Sequence, residues 1–151
     1  MCFLPLNLTP AFDIDLAKLE AEYFKAQRLF HPDRFVGKPS DEKMAALQKS
    51  MDINQAYEIL KNPLKRAQYL LQLQGIIVGT DADSVKPSPA LLMEIMELRE
   101  QLEDGKLVDQ LSNLHKNSLL DISKYYANKD WQKMAQETLR LGYLMKILER
   151  R

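Results

Sequence analysis

The chain has few of the residues on which several protein classes depend. It carries one cysteine, Cys2, which excludes an internal disulfide and a metal site built from several thiolates. Its 21 basic and 21 acidic side chains cancel, whereas broad nucleic-acid binding needs a net basic surface. No apolar run approaches the roughly 20 residues of a membrane span. We therefore expect a protein that binds neither nucleic acid nor a membrane.

Glycine is also scarce, with five in the whole chain, and no strand-like alternation bounded by turn dipeptides occurs. The first residues lack a positively charged start and are too short for a secretory signal, so we expect an intracellular protein. Leucine, alanine, lysine, glutamate, glutamine and methionine dominate instead, and all are strong helix formers. This composition predicts an all-α protein.

A first long helix is predicted to begin after Asp13 or Asp15, either of which is a suitable N-cap. Pro32 should end it, because the residue before a proline disfavours helical geometry. A loop is predicted at residues 31–40. The core-facing side of this helix is predicted from the helical spacing of Leu16, Leu19, Tyr23, Ala26 and Phe30.

A second long helix is predicted from about Asp41 to Lys61, where Asn62-Pro63 breaks it, and a short helix should follow at 64–73. The core-facing side of the second helix is predicted to comprise Ala46, Ser50, Ile53, Tyr57 and Leu60, widened by Leu47, Ala56 and Leu64. Two long helices joined by a polar loop favour an antiparallel hairpin.

The composition changes at residues 75–89, where glycine, proline, serine and aspartate cluster, and this indicates a linker in which residues 76–78 are docked. Three helical patterns follow, with turns predicted at Gly105 and at residues 128–130. Their apolar seams are Leu91, Ile95, Leu98 and Leu102; Leu107, Leu111, Leu114, Ser118, Ile122 and Tyr125; and Trp131, Met134, Thr138, Leu141, Met145 and Leu148. We predict domains at 1–74 and 90–151, the second an antiparallel three-helix bundle.

The tripeptide His31-Pro32-Asp33 follows the first predicted helix, and taken alone it has a local explanation as a helix stop and a turn. The residues around it favour a functional role as well. Tyr23 precedes it on the helix, and Arg34 follows it. Further along come Asn54-Gln55-Ala56-Tyr57-Glu58-Ile59-Leu60, Pro63, Lys65-Arg66-Ala67 and Tyr69. In this order and spacing, these residues resemble the J-domain family closely.

The resemblance implies binding to the nucleotide-binding domain and linker of a seventy-kilodalton heat-shock (Hsp70-class) chaperone, whose ATP hydrolysis the J-domain accelerates. His31 and Asp33 would then shift the conformational equilibrium of the partner, without acting as acid, base or nucleophile. No Gly-rich phosphate loop occurs, so the chain itself should not bind ATP. We expect a protein that is not an enzyme and needs no cofactor.

A basic stripe accompanies the tripeptide. Lys18, Lys25 and Arg28 lie within about 80° on one face of a helix, and Arg34 and Lys38 continue the stripe through the loop. Such a stripe is often only a solvated face, but here it matches the cationic surface that J-domains offer an acidic partner. The predicted chaperone-binding residues are His31, Pro32, Asp33, Lys25, Arg28, Arg34 and Lys38.

The first helix of the predicted C-terminal domain carries a second apolar group. Leu92, Met93 and Met96 point roughly 100–200° away from its core seam, and Glu97 and Glu100 share their side. These side chains are either part of a wide stripe buried against the linker or the first domain, or a partner-binding face. Methionine suits adaptable binding surfaces.

Two longer segments narrow the resemblance. Leu91-Leu92-Met93-Glu94-Ile95-Met96-Glu97-Leu98-Arg99-Glu100 and Asn62-Pro63-Leu64-Lys65-Arg66-Ala67-Gln68-Tyr69-Leu70-Leu71 are similar to the HscB family of iron–sulfur J-proteins. This similarity implies an HscA-like chaperone and an IscU-like cluster scaffold as partners. It implies scaffold contacts at Leu92, Met93, Met96, Glu97, Glu100 and Tyr143.

Four features of the chain qualify or refine the resemblance. Arg34 stands where the family often has lysine, and Tyr143 where it commonly has phenylalanine. Leu139, Tyr143 and Ile147 form a stripe off the main seam of the last helix. The chain lacks the Cys-rich N-terminal extension of eukaryotic relatives, so we expect a bacterial, cytoplasmic form.

Two alternatives to an HscB-type adaptor stay open at this point. One is a J-domain co-chaperone with a different client, which the Leu92–Met96 face would discriminate. The other is a small metal-assisted hydrolase that uses His31 and Asp33, but it lacks a pocket-forming sheet and a third ligand. Cys2 and His115 do not supply ligand spacing either, so no metal site is predicted.

Overall fold

The computed structural model describes residues 3–79, 84–103 and 108–149, apart from the side chains of residues 108 and 109. All regular elements in these ranges are helical, which confirms the predicted fold class. The chain divides into two compact units, Met1–Arg66 and Ala67–Arg151. This division falls inside a helix, whereas the domain limits predicted from the sequence were 1–74 and 90–151.

The first unit is built mainly from two long helices. A short 3-10 helix at Leu4–Leu6 precedes α1, Leu16–Phe30. A second 3-10 helix, Pro32–Phe35, leads to α2, Ser40–Leu60, and α3 spans Pro63–Gln72. These bounds agree with the predicted helices to within a residue or two.

The ends of α1 follow from its sequence. The Asp15 carboxylate accepts hydrogen bonds from the backbone N–H of Ala17 at 2.9 Å and of Lys18 at 3.4 Å, so Asp15, not Asp13, is the N-cap. At the other end His31 is extended, with ψ at 136°, as the following proline requires.

The order of contacts between α1 and α2 shows that they are antiparallel. The Tyr23 ring stacks on that of Tyr57, with centroids 4.1 Å apart. One turn further along α1, Gln27 is hydrogen-bonded to Asn54 and Ser50, which lie earlier on α2. Partner numbers fall as α1 numbers rise, which confirms the predicted hairpin.

The core of the first unit includes a buried arginine. Arg66 Nη1 donates to the Leu60 carbonyl at 2.6 Å, and its guanidinium lies 5.0 Å from the Phe12 ring centroid. Burial lowers the pKa of Arg66, and the nearby Asp13 opposes that shift. The buried apolar side chains of this unit are Phe3, Leu6, Phe12, Leu19, Ala26, Ala46, Ile53, Ala56 and Leu60.

Two side chains assigned to these core faces are exposed instead. Leu16 is the first residue of α1 and lies beyond the part of the helix that α2 covers well; it lines a shallow groove with Tyr57 and Lys61. Leu47 is exposed as well, because the neighbouring Ala46 already occupies the buried side of α2.

The second unit contains a bundle of three helices, α4 at Pro89–Glu103, α5 at Val108–Ala127 and α6 at Trp131–Glu149. Lys129 adopts a left-handed conformation in the turn between α5 and α6. Leu111 near the start of α5 packs with Leu144 and Ile147 near the end of α6, so these two helices are antiparallel. The partly buried side chains around this cluster are Leu98, Leu102, Leu114 and Leu148.

The buried face of α6 differs from the predicted seam in its second half. Met134, Thr138 and Leu141 are buried as expected. Beyond them Leu144 and Ile147 are buried, whereas Met145 and Leu148 are only partly so. The prediction that Ile147 lies off the core is therefore wrong.

The segment before α4 is held to α6 by one amide. Gln136 Nε2 donates to the Lys86 carbonyl at 2.9 Å, and Gln136 Oε1 accepts from the Ser88 backbone N–H at 2.9 Å. Val78 is buried as predicted, but Ile77 is exposed, so the prediction that residues 76–78 are all docked is wrong at Ile77. The predicted turn at Gly105 and the seam residue Leu107 lie outside the described residues.

Trp131 begins α6 and is half-buried. Its ring meets the Tyr126 ring edge-on, with centroids 5.8 Å apart and the planes at 63°. This pair closes the end of the α5–α6 hairpin at which the connecting turn lies.

Candidate functional site

The His31-Pro32-Asp33 tripeptide forms an exposed turn directly after α1. Pro32 begins the 3-10 helix, and the His31 side chain caps it, because His31 Nδ1 accepts a hydrogen bond from the Asp33 backbone N–H at 3.2 Å. Asp33 Oδ2 lies 3.6 Å from the same Nδ1. The Asp33 side chain is 89% exposed, so its carboxylate is accessible to a partner.

The predicted basic residues are all on the surface, but only some adjoin the tripeptide. Arg28 and Arg34 line one groove together with His31 and Asp33. Lys18, Lys25 and Lys38 are exposed and do not line it. No ion pair joins any of these five cations to a carboxylate of the described residues, so their charge is available for steering.

Two further residues of this groove were missed by the sequence analysis. Phe24 lines it and is 52% exposed, and Gln27 forms part of its wall. Phe24 lies beside the apolar stripe of α1 and carries no charge, so nothing in the residue pattern marked it as a surface contact. Gln27 lies one helical turn before His31, and that i, i+4 spacing is the signal that could have identified it.

A layer of polar side chains lies between α1 and α2 next to this groove. Asn54 Oδ1 accepts from the Tyr23 hydroxyl at 2.8 Å and from Gln27 Nε2 at 2.5 Å. Gln27 Oε1 accepts from the Ser50 hydroxyl at 3.3 Å. Both ends of the Gln27 amide are therefore hydrogen-bonded to α2.

The second unit presents an apolar face on α4. Leu92, Met93 and Met96 are 43%, 62% and 63% exposed, whereas Leu91 and Ile95 on the other side of the helix are 3% and 2% exposed. The expected rotation of this helix is thus confirmed.

Charged and aromatic side chains accompany this apolar face. Glu97 and Glu100 on α4 are exposed. Tyr143 on α6 is half-buried, as is Leu139, which was assigned to the same stripe. Tyr143 lies three residues after Arg140 on α6, and Glu97 lies three residues after Glu94 on α4.

Arg140 connects α6 to α4. Its Nε and Nη2 donate to Glu94 Oε2 at 3.0 and 2.8 Å, and its Nη1 donates to Glu137 one turn earlier on α6. Burial alone lowers the pKa of Arg140, but the two carboxylates outweigh it and raise that pKa. Arg140 therefore stays charged and fixes the angular position of the helix that carries the apolar face.

Glu137 is the buried member of this group, only 4% exposed. Burial raises the pKa of Glu137, and the Ser118 hydroxyl and Arg140 oppose this rise without cancelling it. Arg140 has two carboxylate partners, whereas Glu137 has one cationic partner. Ionised Glu137 is therefore the member of this group whose burial lowers the stability of the fold.

The described residues include no group of three or more histidine, cysteine, aspartate or glutamate side chains placed to hold a metal ion. Among the helices of the described ranges, none has the length and apolar character to cross a bilayer.

Comparison with known proteins identifies the family of the chain along most of its length. Residues 6–69 match the family model of the DnaJ domain, and residues 87–150 match that of the HSCB C-terminal oligomerisation domain. A protein from Proteus mirabilis (strain HI4320), "Co-chaperone protein HscB", is 35% identical over 97% of this chain and 91% of its own length. The chain belongs to the HscB co-chaperone family.

Further HscB relatives match along most of the chain. A "Co-chaperone protein HscB homolog" of Vibrio vulnificus (strain YJ016) is 31% identical over 93% of this chain and 88% of its own length. The solved structure of "Chaperone HscB from Vibrio cholerae" has a TM-score of 0.83 and 31% identity, covering 99% of this chain and 93% of that one. The human co-chaperone HscB has a TM-score of 0.87 and 28% identity, covering 99% and 79%. These names are those of a co-chaperone, and they name no enzymatic activity.

Proposed function

We propose that this HscB-family co-chaperone is an adaptor with two binding surfaces. The first unit stimulates the ATPase of an HscA-like heat-shock chaperone, and the second unit presents that chaperone with an IscU-like iron–sulfur scaffold. The bacterial sources of several relatives support a bacterial, cytoplasmic setting.

The observation that carries the proposal is the exposed apolar face of α4. Leu92, Met93 and Met96 are exposed on a helix whose opposite side buries Leu91 and Ile95. Exposed apolar clusters rimmed by charge mark interaction sites. Glu97 and Glu100 supply such a rim and would orient a client with a basic border.

The position of Tyr143 supports its place in the same surface. Glu94 contacts Arg140, and Leu98 and Leu102 pack near Leu144, so partner numbers on α4 and α6 rise together. The two helices are thus parallel, and Tyr143 lies at about the level of Glu97. Six side chains then form the proposed scaffold surface: Leu92, Met93, Met96, Glu97, Glu100 and Tyr143.

On the chaperone side, the unpaired cations accelerate and orient the encounter with an acidic surface. The predicted contacts are His31, Pro32, Asp33, Lys25, Arg28, Arg34 and Lys38. His31 and Asp33 then bias the partner toward the conformation that hydrolyses ATP, by binding that conformation more tightly than the other. The hydrolytic chemistry takes place in the chaperone.

The test is a reconstituted ATPase assay with purified chaperone, with and without scaffold. If the chain is such an adaptor, we expect it to stimulate the chaperone ATPase by itself, and we expect a further increase in the ATPase rate when the scaffold is added. An Ala substitution of both Leu92 and Met96 should remove only the scaffold-dependent increase. If that variant still gives the full increase, the client is bound elsewhere, and a J-domain co-chaperone with a different client becomes the better reading.

A further inference from the structure

The polar layer between α1 and α2 lies directly behind the groove that contains the His31-Pro32-Asp33 turn. Gln27 belongs to both: it is hydrogen-bonded to Asn54 and Ser50, and it lines the groove with His31, Asp33 and Arg34. Because Gln27 and His31 are four residues apart, they lie on the same side of the end of α1.

Asn54 holds this layer together through a single atom. Its Oδ1 accepts from Gln27 and from Tyr23, and an amide oxygen has two lone pairs, so its acceptor capacity is fully used. Tyr23 is itself fixed by stacking on Tyr57 at 4.1 Å. A glutamine side chain has many rotamers, and these hydrogen bonds select one of them for Gln27.

The layer is not needed to fill the interface. Apolar residues of similar volume would stabilise a helix pair as well or better, whereas hydrogen-bonded side chains restrict geometry. Asn54 makes no contact with the groove itself, since the groove is lined by residues of α1 and the turn. Gln27 is the residue that is both hydrogen-bonded to Asn54 and part of the groove lining.

We propose that Asn54 is a positioning residue for the chaperone switch: by fixing Gln27, it holds the groove wall against which the His31-Pro32-Asp33 turn adopts its activating orientation. This inference rests on the proposed stimulation of a heat-shock chaperone. Asn54 acts on the fraction of bound complexes that are activated, while the cations of the basic stripe act on how readily complexes form.

The test compares two substitutions of Asn54 with a matched control. Asn54→Leu keeps the approximate volume and removes the acceptor, whereas Asn54→Asp keeps oxygen acceptors for both donors. Gln48→Leu is the control, because Gln48 is also an exposed amide on α2 that is hydrogen-bonded, in this case to Asp52, and does not line the groove. Stimulated ATPase rates are measured against co-chaperone concentration, well below the thermal midpoint of each variant.

We expect Asn54→Leu to lower the maximal stimulated rate by about fivefold, with little change in the half-maximal co-chaperone concentration. A fivefold change in population is what the loss of one ordinary hydrogen bond produces. Asn54→Asp should stay within about twofold of the unmodified protein, since its acceptors remain. Gln48→Leu should match the unmodified protein in both quantities.

A second measurement needs no chaperone. The Asp33 amide, which donates to His31, should change its nuclear magnetic resonance shift in Asn54→Leu and not in Gln48→Leu. If Asn54→Leu does not fold, Asn54→Ala, which removes the same acceptor and leaves the groove residues unchanged, takes its place in both measurements.

An unchanged maximal rate with an unchanged Asp33 amide overturns the positioning role, as does an equal loss in Asn54→Asp and Asn54→Leu. Failure of the unmodified protein to stimulate any heat-shock chaperone would instead overturn the proposed function. In that case the Asp33 amide still decides whether Asn54 fixes the turn.

Discussion

At the scale of single residues, His31 combines an exposed side chain with one local structural contact. Its Nδ1 caps the 3-10 helix that follows, and the rest of the ring is open to a partner. Glutamine can supply an acceptor for the same backbone N–H but cannot reproduce the imidazole ring. The role of His31 in the chaperone switch can therefore be separated from its role in the fold.

We expect His31→Gln to abolish stimulation of the chaperone ATPase while leaving the helical circular dichroism signal and scaffold binding intact. The reason is that more than half of the His31 side chain is exposed, so it contributes little to the core of the first unit. ATPase assays and scaffold titrations on the same preparation check this. Full stimulation by a folded His31→Gln protein would show that another residue operates the switch.

Glu137 provides a pH prediction with a definite sign. Burial raises the pKa of Glu137 in the folded protein above its ordinary value of 4.5, so the folded state favours the protonated carboxyl. The unfolded chain releases this proton first as pH rises, and stability is lost across the window above 4.5. Glu137→Gln mimics the protonated form and should remove that loss.

The free energy of unfolding of Glu137→Gln should accordingly equal or exceed that of the unmodified protein at neutral pH, by up to about 1 kcal/mol. The advantage should shrink as pH falls toward 4.5, where the unmodified carboxyl is itself protonated. Chemical denaturation at several pH values checks the sign. A variant that is less stable at neutral pH would mean that the pairing with Arg140 outweighs the burial of Glu137.

At the scale of elements, α4 has one exposed apolar side, which we propose binds the scaffold, and one buried side that belongs to the core. Truncating Leu92 and Met96 to alanine should weaken scaffold binding by at least tenfold, because each side chain of this size contributes about 1.5–3 kcal/mol when buried in an interface. The unfolding free energy should change little, since both side chains are exposed.

The matched control is Leu91→Ala on the opposite side of α4. Leu91 is 3% exposed, and such core truncations typically cost about 2–5 kcal/mol of stability. Titration calorimetry and denaturation on both proteins give the comparison. If stability falls as far in the Leu92/Met96 variant as in Leu91→Ala, the exposed face has a structural role instead.

The outer side of α1 should determine association rate. Reversing the charges of Lys25 and Arg28 together should slow association with the chaperone at low salt, and the penalty should shrink at high salt, because surface charges act over a Debye length of about 8 Å at physiological ionic strength. Stopped-flow association rates at several salt concentrations test this. An unchanged rate at low salt would remove this stripe from the interface.

The helices themselves were predictable because each has a clear boundary signal. Asp15 starts α1, Pro32 ends it, and Pro63 begins α3. The second half of α6 could not be predicted from one apolar seam. In that half, α6 packs against both α4 and α5, and Leu144 and Ile147 contact side chains of both helices. The buried face of α6 therefore changes from its first half to its second half.

The candidate sites were predictable to different degrees for a similar reason. The exposure of Leu92 and Met96 follows from helical period alone, because the opposite side of α4 is continuously apolar. The contact between Gln27 and Asn54 was not predicted, because polar side chains between two helices produce no periodic pattern of hydrophobic residues. The exposure of Phe24 was not predicted, because an aromatic residue on an amphipathic helix usually belongs to the core.

At the scale of the whole molecule, the second unit begins earlier than its helical bundle. It begins at Ala67, inside α3, and Leu70, Leu71 and Val78 are buried. A fragment of residues 67–151 should therefore be more stable toward denaturant than one of residues 84–151, while residues 1–74 should fold alone and stimulate the chaperone weakly. Circular dichroism melts of the three fragments test this. Equal stability of fragments 67–151 and 84–151 would refute the prediction that residues 67–83 stabilise the second unit.

The aromatic rings give each unit its own optical signature. The single tryptophan of the chain, Trp131, lies in the second unit, so its emission spectrum reports the unfolding of that unit alone. The near-parallel Tyr23 and Tyr57 rings, inclined by 13°, form a coupled pair of chromophores in the first unit, with a near-ultraviolet dichroism band of their own. One unlabelled sample, observed at two wavelengths, can thus reveal whether chaperone or scaffold loosens or tightens the unit it does not touch.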